Sequence, residues 1–162
     1  MEVILVDAKG LQHTDFLGKI DPYVMIQYRN QKYTSKTARD IILTSSSIDC
    51  VVKVGQGSRP VWNEEFKFRV EYPTTPARDD QNYKVFLQIM DRDSFTQDDY
   101  LGQTTIYLKE LFEEGMEKGK VELGTQKYRV VSSDGTYHGE IQVAITFTAM
   151  GRLVNKRLST TK

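Results

Sequence analysis

The stretch Asp91-Arg92-Asp93-Ser94-Phe95-Thr96-Gln97-Asp98-Asp99-Tyr100-Leu101-Gly102 decides how the rest of the chain is read. Four carboxylates fall within the nine residues from Asp91 to Asp99, an aromatic stands among them at Phe95, and Tyr100-Leu101-Gly102 resumes an ordered pattern. An apolar run ending at Met90 precedes the stretch and Thr104 to Leu108 follows it, so it reads as a loop between two strands. Like charges packed this closely repel one another, and a bound cation is the usual remedy. A solvated acidic turn is the other reading, and the stretch alone leaves both open.

Outward from that loop the chain is a series of short strands. Val3 to Val6 forms a first buried strand, followed by a loop from Gly10 to Pro22 that carries Asp15, Gly18 and Asp21. Pro22 has no backbone donor and belongs at a strand's entry, which places the next strand at Tyr23 to Tyr28. A polar turn at Arg29 to Gln31 leads into Lys32 to Thr37. Trp62 to Val70 alternates apolar with polar residues, with Glu64 placing one end of the apolar face at the rim and Trp62 in the core. Val85 to Met90 is a central strand. Lys109 to Glu114 reads as a single helical turn before a glycine-broken connection. Val121 to Leu123 and Tyr128 to Val131 are two short strand candidates, Asp134-Gly135 is a hairpin turn, and Glu140 to Thr148 closes the pattern. The sum is an all-β chain, an eight-stranded antiparallel β-sandwich.

Ile41 to Leu43 and Ile48 to Val54 are strand-like pieces that fit either an extra hairpin or an excursion loop. One domain over 1–148 is expected, with 41–57 as an atypical insertion and 149–162 as a basic, disordered tail carrying Arg152, Lys156, Arg157 and Lys162.

Lys and Arg number 22 and Asp and Glu number 22 in a chain of 162 residues, which argues against a nucleic-acid binder driven by overall charge. Cys50 is the only cysteine, so an intrachain disulfide is impossible and a reducing compartment is the simpler expectation. The N-terminal Met1-Glu2-Val3-Ile4-Leu5-Val6-Asp7 has no secretory character, and no run has the length of a membrane-spanning helix. A soluble, cytoplasmic protein is expected.

The two acidic loops share one pattern. Asp15 and Asp21 stand six apart with Gly18 between them and Pro22-Tyr23 after them; Asp91, Asp93 and Asp99 precede Tyr100-Leu101-Gly102; and Arg59-Pro60-Val61-Trp62-Asn63-Glu64 lies between. Together these resemble the C2 domain, the calcium-dependent phospholipid-binding module, of the small single-domain plant type similar to elicitor-responsive and phloem proteins. With one strand before the first acidic loop and Tyr137 to Phe147 supplying the last, the order resembles the phospholipase-like (type II) permutation.

The resemblance implies that Asp15, Asp21, Asp91, Asp93 and Asp99 are side-chain ligands of Ca2+, with the backbone carbonyls of Thr14 and Arg92 adding to the sphere. It implies calcium-dependent binding of anionic phospholipid membranes by a monomer that moves to the plasma membrane when calcium rises, with a place in plant defence signalling. Phe16, Leu17 and Phe95 at the loop crowns are the expected membrane contacts. The family's lysine-rich lipid face is thin here: Met25 stands where a lysine is expected, leaving Lys32 and Lys36. Asp98 is expected to add negative field, since Asp99 directly precedes the Tyr-Leu-Gly.

Other chemistries fit less well. An EF-hand reading of the 91–102 loop puts Phe95 at the fifth position, Thr96 at the sixth and Gly102 at the twelfth, where acids and glycine are required. His13, His138 and Cys50 are too few for zinc and too isolated for nucleophilic catalysis. Paired carboxylates could serve a glycosidase, but nothing here marks a sugar cleft. A non-enzymatic module is expected, the alternative function being calcium-independent protein–protein interaction as an adaptor.

Overall fold

The computed structural model describes residues 1–11, 20–40, 59–71, 80–93 and 95–150. The insertion at 41–57 and the tail beyond residue 150 lie outside the described residues. Nine strands are present among the described residues: β1 (Glu2–Lys9), β2 (Pro22–Tyr28), β3 (Gln31–Thr34), β4 (Arg39–Asp40), β5 (Pro60–Lys67), β6 (Lys84–Asp91), β7 (Asp99–Tyr107), β8 (Lys120–Val131) and β9 (Tyr137–Thr148). β4 is two residues long, so the eight strands of the expected sandwich are the remaining ones. All pairings are antiparallel, and the hydrogen-bonded order is β3-β2-β6-β7-β8-β9-β1-β5-β4.

β7 and β8 meet through one register pair, Gln103 with Val131, which divides the order into a β3-β2-β6-β7 half and a β8-β9-β1-β5-β4 half. Their inner faces supply the core. Val24, Ile26 and Tyr28 from β2, Val85, Leu87 and Ile89 from β6, Val3 and Leu5 from β1, and Ile141, Val143 and Ile145 from β9 are all buried. The period-2 alternation of β6 and β9 puts one apolar set inward and leaves the other residues half exposed. The last strand lies against the first, with Glu2 opposite Thr146 and Lys9 opposite Glu140, as the expected permutation requires.

Two sequence motifs are explained by bulges. Between the pairs Leu5–Glu64 and Asp7–Val61, β5 has two residues, Trp62 and Asn63, where β1 has one, Val6. The extra residue is taken up beside Asn63, whose φ of 51° lies in the left-handed region that asparagine tolerates better than most residues, and Trp62 turns into the core. In β7, Gly102 faces Ile89 and Tyr100 faces Met90, so Leu101 is the extra residue and its side chain is buried. Gly102 lies so close to β8 that a Cβ there would stand 2.5 Å from Val130 Cγ1. The Tyr-Leu-Gly after the acidic loop is therefore a bulge followed by a close strand crossing.

The connection after β7 departs from the expected single helical turn. It forms α1 (Lys109–Lys118), ten residues long, closed by Gly119 at φ 84°. Gly115 does not break the connection but lies inside the helix, and glycine is needed there since a Cβ would meet the Phe147 ring at 2.3 Å. α1 presses Leu111 and Phe112 onto the sandwich end opposite the acidic loops, with the Phe112 ring 4.8 Å from Phe147 and 6.1 Å from Tyr28. Val121 to Leu123 and Tyr128 to Val131 also differ from expectation. They belong to one continuous strand, β8, whose register slips between Leu123 and Gln126 and whose middle is exposed, so that no apolar pattern marks it.

Gly115→Ala tests the helix packing. Helix propensity alone would favour alanine by about 1 kcal/mol, while overpacking against a ring costs about 1–3 kcal/mol. A net loss is expected as a lower urea midpoint at unchanged slope. Gly124→Ala, with nothing within 4 Å of its added Cβ, should stay within about 0.5 kcal/mol of the unmutated protein.

Candidate metal centre

Strand register brings the acidic residues to one end of the sandwich. Pro22, which opens β2 directly after Asp21, stands opposite Asp91 at the end of β6, and Asp91 stands opposite Asp99 at the start of β7. The pairing is extended by two bonds. The Asp21 N–H donates to Asp91 Oδ1 at 2.6 Å, and the Arg92 N–H donates to the Asp21 carbonyl at 3.1 Å. The two acidic loops are thus fastened to each other by backbone and side chain together.

Asp91 is the most constrained of these groups, only 5% exposed. Burial pushes its carboxyl above the usual carboxylate range, the Asp21 N–H opposes that, and the charges of Asp93, Asp21 and Asp99 push it further up. Four acids therefore act on one another here. Their donor set is oxygen alone, without histidine or cysteine, which is the chemistry that suits Ca2+ or another hard cation.

Loop 92–98 is shaped by its own polar groups. Thr96 Oγ1 donates to Asp93 Oδ2 at 2.8 Å, and the Asp93 N–H donates to Asp98 Oδ1 at 3.1 Å. Asp98 Oδ2 accepts from the Tyr23 hydroxyl at 2.7 Å, and the Arg92 guanidinium sits 4.9 Å from the centre of the Tyr23 ring. The Tyr23 hydroxyl above all, then the Asp93 N–H, hold the Asp98 carboxyl below its ordinary range. Phe95 stands at the loop's crown, 100% exposed.

Of the expected ligands, Asp21, Asp91, Asp93 and Asp99 are brought together, and the Arg92 backbone lies between two of them. Asp15 and the Thr14 carbonyl, like the membrane-contact residues Phe16 and Leu17, lie outside the described residues. Among the described residues no three acidic, histidine or cysteine side chains converge into a finished metal cage. The Asp91 carboxylate accepts from the Asp21 N–H, and that of Asp93 accepts from Thr96.

Lys32 and Lys36 are both exposed. Lys32 stands opposite Gln27, on a sheet face it shares with Met25, Phe86 and Gln88, and Lys36 follows β3 with its N–H donating to Glu64 Oε1 at 2.9 Å. Sequence reasoning assigned Asp98 only a field. Its engagement by Tyr23 and Asp93 carries no sequence signal, because the pairing is across 75 residues.

The architecture is that of an antiparallel β-sandwich with an acidic, oxygen-rich tip. The sequence matches the C2 domain family over residues 1–123. It is 46% identical to elicitor-responsive protein 1 of Oryza sativa subsp. japonica over 94% of this chain and 86% of that protein. It is 39% identical to 16 kDa phloem protein 1 of Arabidopsis thaliana, over 93% of this chain and 85% of that protein. Among solved structures, a C2 domain-containing protein superposes with a TM-score of 0.62 at 36% identity, covering 93% of this chain and 88% of the other. The chain belongs to the C2 domain family. No helix among the described residues is long and apolar enough to cross a membrane.

The raised Asp91 carboxyl has a sign that can be checked. A carboxyl whose folded pKa lies above its unfolded value takes stability away once ionised, so the metal-free protein should lose stability as pH rises from the ordinary carboxylate range through the raised value. Asp91→Asn keeps an Oδ1 acceptor for the Asp21 N–H and removes the charge. Thermal melts in chelator should give it a higher midpoint than the unmutated protein at pH 7, with the gap narrowing as pH is lowered through that window.

Proposed function

We propose that the acidic tip binds calcium and thereby lets the protein dock on anionic phospholipid membranes. The observation that supports this reading is that strand register sets Asp21, Asp91, Asp93 and Asp99 at one end of the sandwich, close enough for the other three charges to act on Asp91, beside a fully exposed Phe95. Asp15, Asp21, Asp91, Asp93 and Asp99, with the carbonyls of Thr14 and Arg92, would hold the ion. Bound Ca2+ would supply positive charge at a tip whose carboxylates otherwise repel anionic lipid.

The protein's own residues do the rest. Asp91 holds Asp21, at the entry of β2, against the end of β6 through the Asp21 N–H. Phe95, and Phe16 and Leu17 of the neighbouring loop, enter the lipid interface once the repulsion is gone. Lys32 and Lys36 add weak attraction to anionic headgroups. The domain extends over 1–148 with an insertion at 41–57, and the basic residues of the 149–162 tail contribute about 1 kcal/mol each where they come near the surface. The protein is non-enzymatic, monomeric and cytoplasmic, becoming peripheral to the plasma membrane as calcium rises. The name of the rice relative, elicitor-responsive, supports a place in plant defence signalling.

Co-sedimentation with liposomes of anionic or neutral lipid, in calcium or in chelator, tests this directly. Pelleting is expected only with anionic lipid and calcium, and Asp91→Asn with Asp93→Asn should abolish it while far-ultraviolet circular dichroism stays unchanged. Equal pelleting in calcium and chelator would sink the switch and leave calcium-independent protein interaction as the better account.

Phe95→Ala separates docking from ion binding. Burying a phenylalanine side chain is worth about 1.5–3 kcal/mol, so vesicle partitioning should fall roughly 10- to 100-fold with calcium uptake in solution unaltered. Unchanged partitioning would remove Phe95 from the interface.

A further inference from the structure

We infer that Asp98 and Tyr23 form a clasp that positions the acidic 91–99 loop for its ligand, with Asp98 acting through hydrogen bonds and not as a ligand or a source of field. The inference rests on the calcium reading of the tip, and goes beyond it in assigning work to two residues outside the ligand set.

The clasp has two ends. At one, Asp98 Oδ1 accepts the Asp93 N–H at 3.1 Å and so closes residues 93–98 into a ring. At the other, Asp98 Oδ2 accepts the Tyr23 hydroxyl at 2.7 Å. Tyr23 belongs to β2, is buried to 8% exposure and is registered opposite Met90 in β6, so it is the rigid partner. The Arg92 guanidinium over its ring, 4.9 Å from the centre, closes the other side. With each Asp98 oxygen given to a donor, its carboxylate is spent on shaping the loop.

What is shaped is Asp93. Its N–H is fixed by Asp98 and its Oδ2 by Thr96, so both backbone and carboxylate are oriented before any ion arrives. Phe95, inside the same ring, is thrown outward to full exposure. Groups that orient a ligand in this way typically matter about 10- to 100-fold in metal affinity.

The discriminating variant is Asp98→Asn. Its carboxamide oxygen still accepts the Asp93 N–H and its NH2 donates to the Tyr23 hydroxyl, so the clasp survives without the charge. Asp98→Ala removes both ends, and Tyr23→Phe removes one. Calcium calorimetry should show a loss of about tenfold for Asp98→Ala, a smaller loss for Tyr23→Phe, and a loss of no more than about threefold for Asp98→Asn, within the reach of a screened surface charge. The Tyr23→Phe, Asp98→Ala double variant should be no worse than Asp98→Ala alone, since both act on one interaction.

A second readout needs no calcium. Amide hydrogen exchange at Asp93 should speed up in Asp98→Ala and remain slow in Asp98→Asn. Asp98→Asn as weak as Asp98→Ala, with Asp93 exchange the same in both, would show that Asp98 acts through its charge and would overturn the clasp. Unchanged Asp93 exchange in Asp98→Ala would overturn it as well. Failure of the unmutated protein to take up calcium would sink the calcium reading itself, and the exchange comparison would still decide whether the clasp holds the loop.

Discussion

The tip depends on the bond from the Asp21 N–H to Asp91 Oδ1. It joins the entry of β2 to the end of β6 through a carboxylate that is almost wholly buried and surrounded by other acids. A buried carboxylate without a donor would be expelled or protonated. One with a donor stays, at a cost that the neighbouring charges of Asp93, Asp21 and Asp99 increase. Asp91 is thus both the fastening between the loops and the group most in need of positive charge.

The remainder of the fold keeps this end fixed and open. The bulge at Leu101 and the close crossing at Gly102 set β7 against β6 and β8 one residue after Tyr100, so the return of the acidic loop is bounded by packing. The bulge at Asn63 performs the same service for β5 beneath Trp62. At the far end, α1 and its aromatic contacts cover the sandwich. The division follows from chemistry, since apolar closure at the tip would take carboxylates out of water.

Much of this was legible in the sequence, for identifiable reasons. β6 and β9 are read correctly because burial of one face imposes strict alternation. The placing of Asp21, Asp91 and Asp99 at one end is legible because each stands at the end of an apolar run, and those runs pair in register. Helix α1 is under-read because Gly115 looks like a break, when the demand for a glycine comes from Phe147, 32 residues later and in another strand. β8 is split because its exposed middle carries no apolar signal. Asp98 is the instructive case: beside Asp99 it differs in nothing but place, and only its partners, Tyr23 and the Asp93 amide, separate a clasp from a ligand.

The placement of β1 between β9 and β5 bears on how the molecule is made. Once made, β1 can be paired on one side only after some sixty residues and on the other only after about one hundred and forty, when β9 is made. Such long-range pairing is slow to nucleate, on the order of milliseconds to seconds for sandwich topologies. Until β5 is made, a strand as apolar as Val3-Ile4-Leu5-Val6 has two open edges, and until β9 is made it has one. Folding is therefore close to all-or-none with respect to chain length: nascent chains that stop short of Tyr137 carry every acidic loop residue and have no completed sheet to hold them.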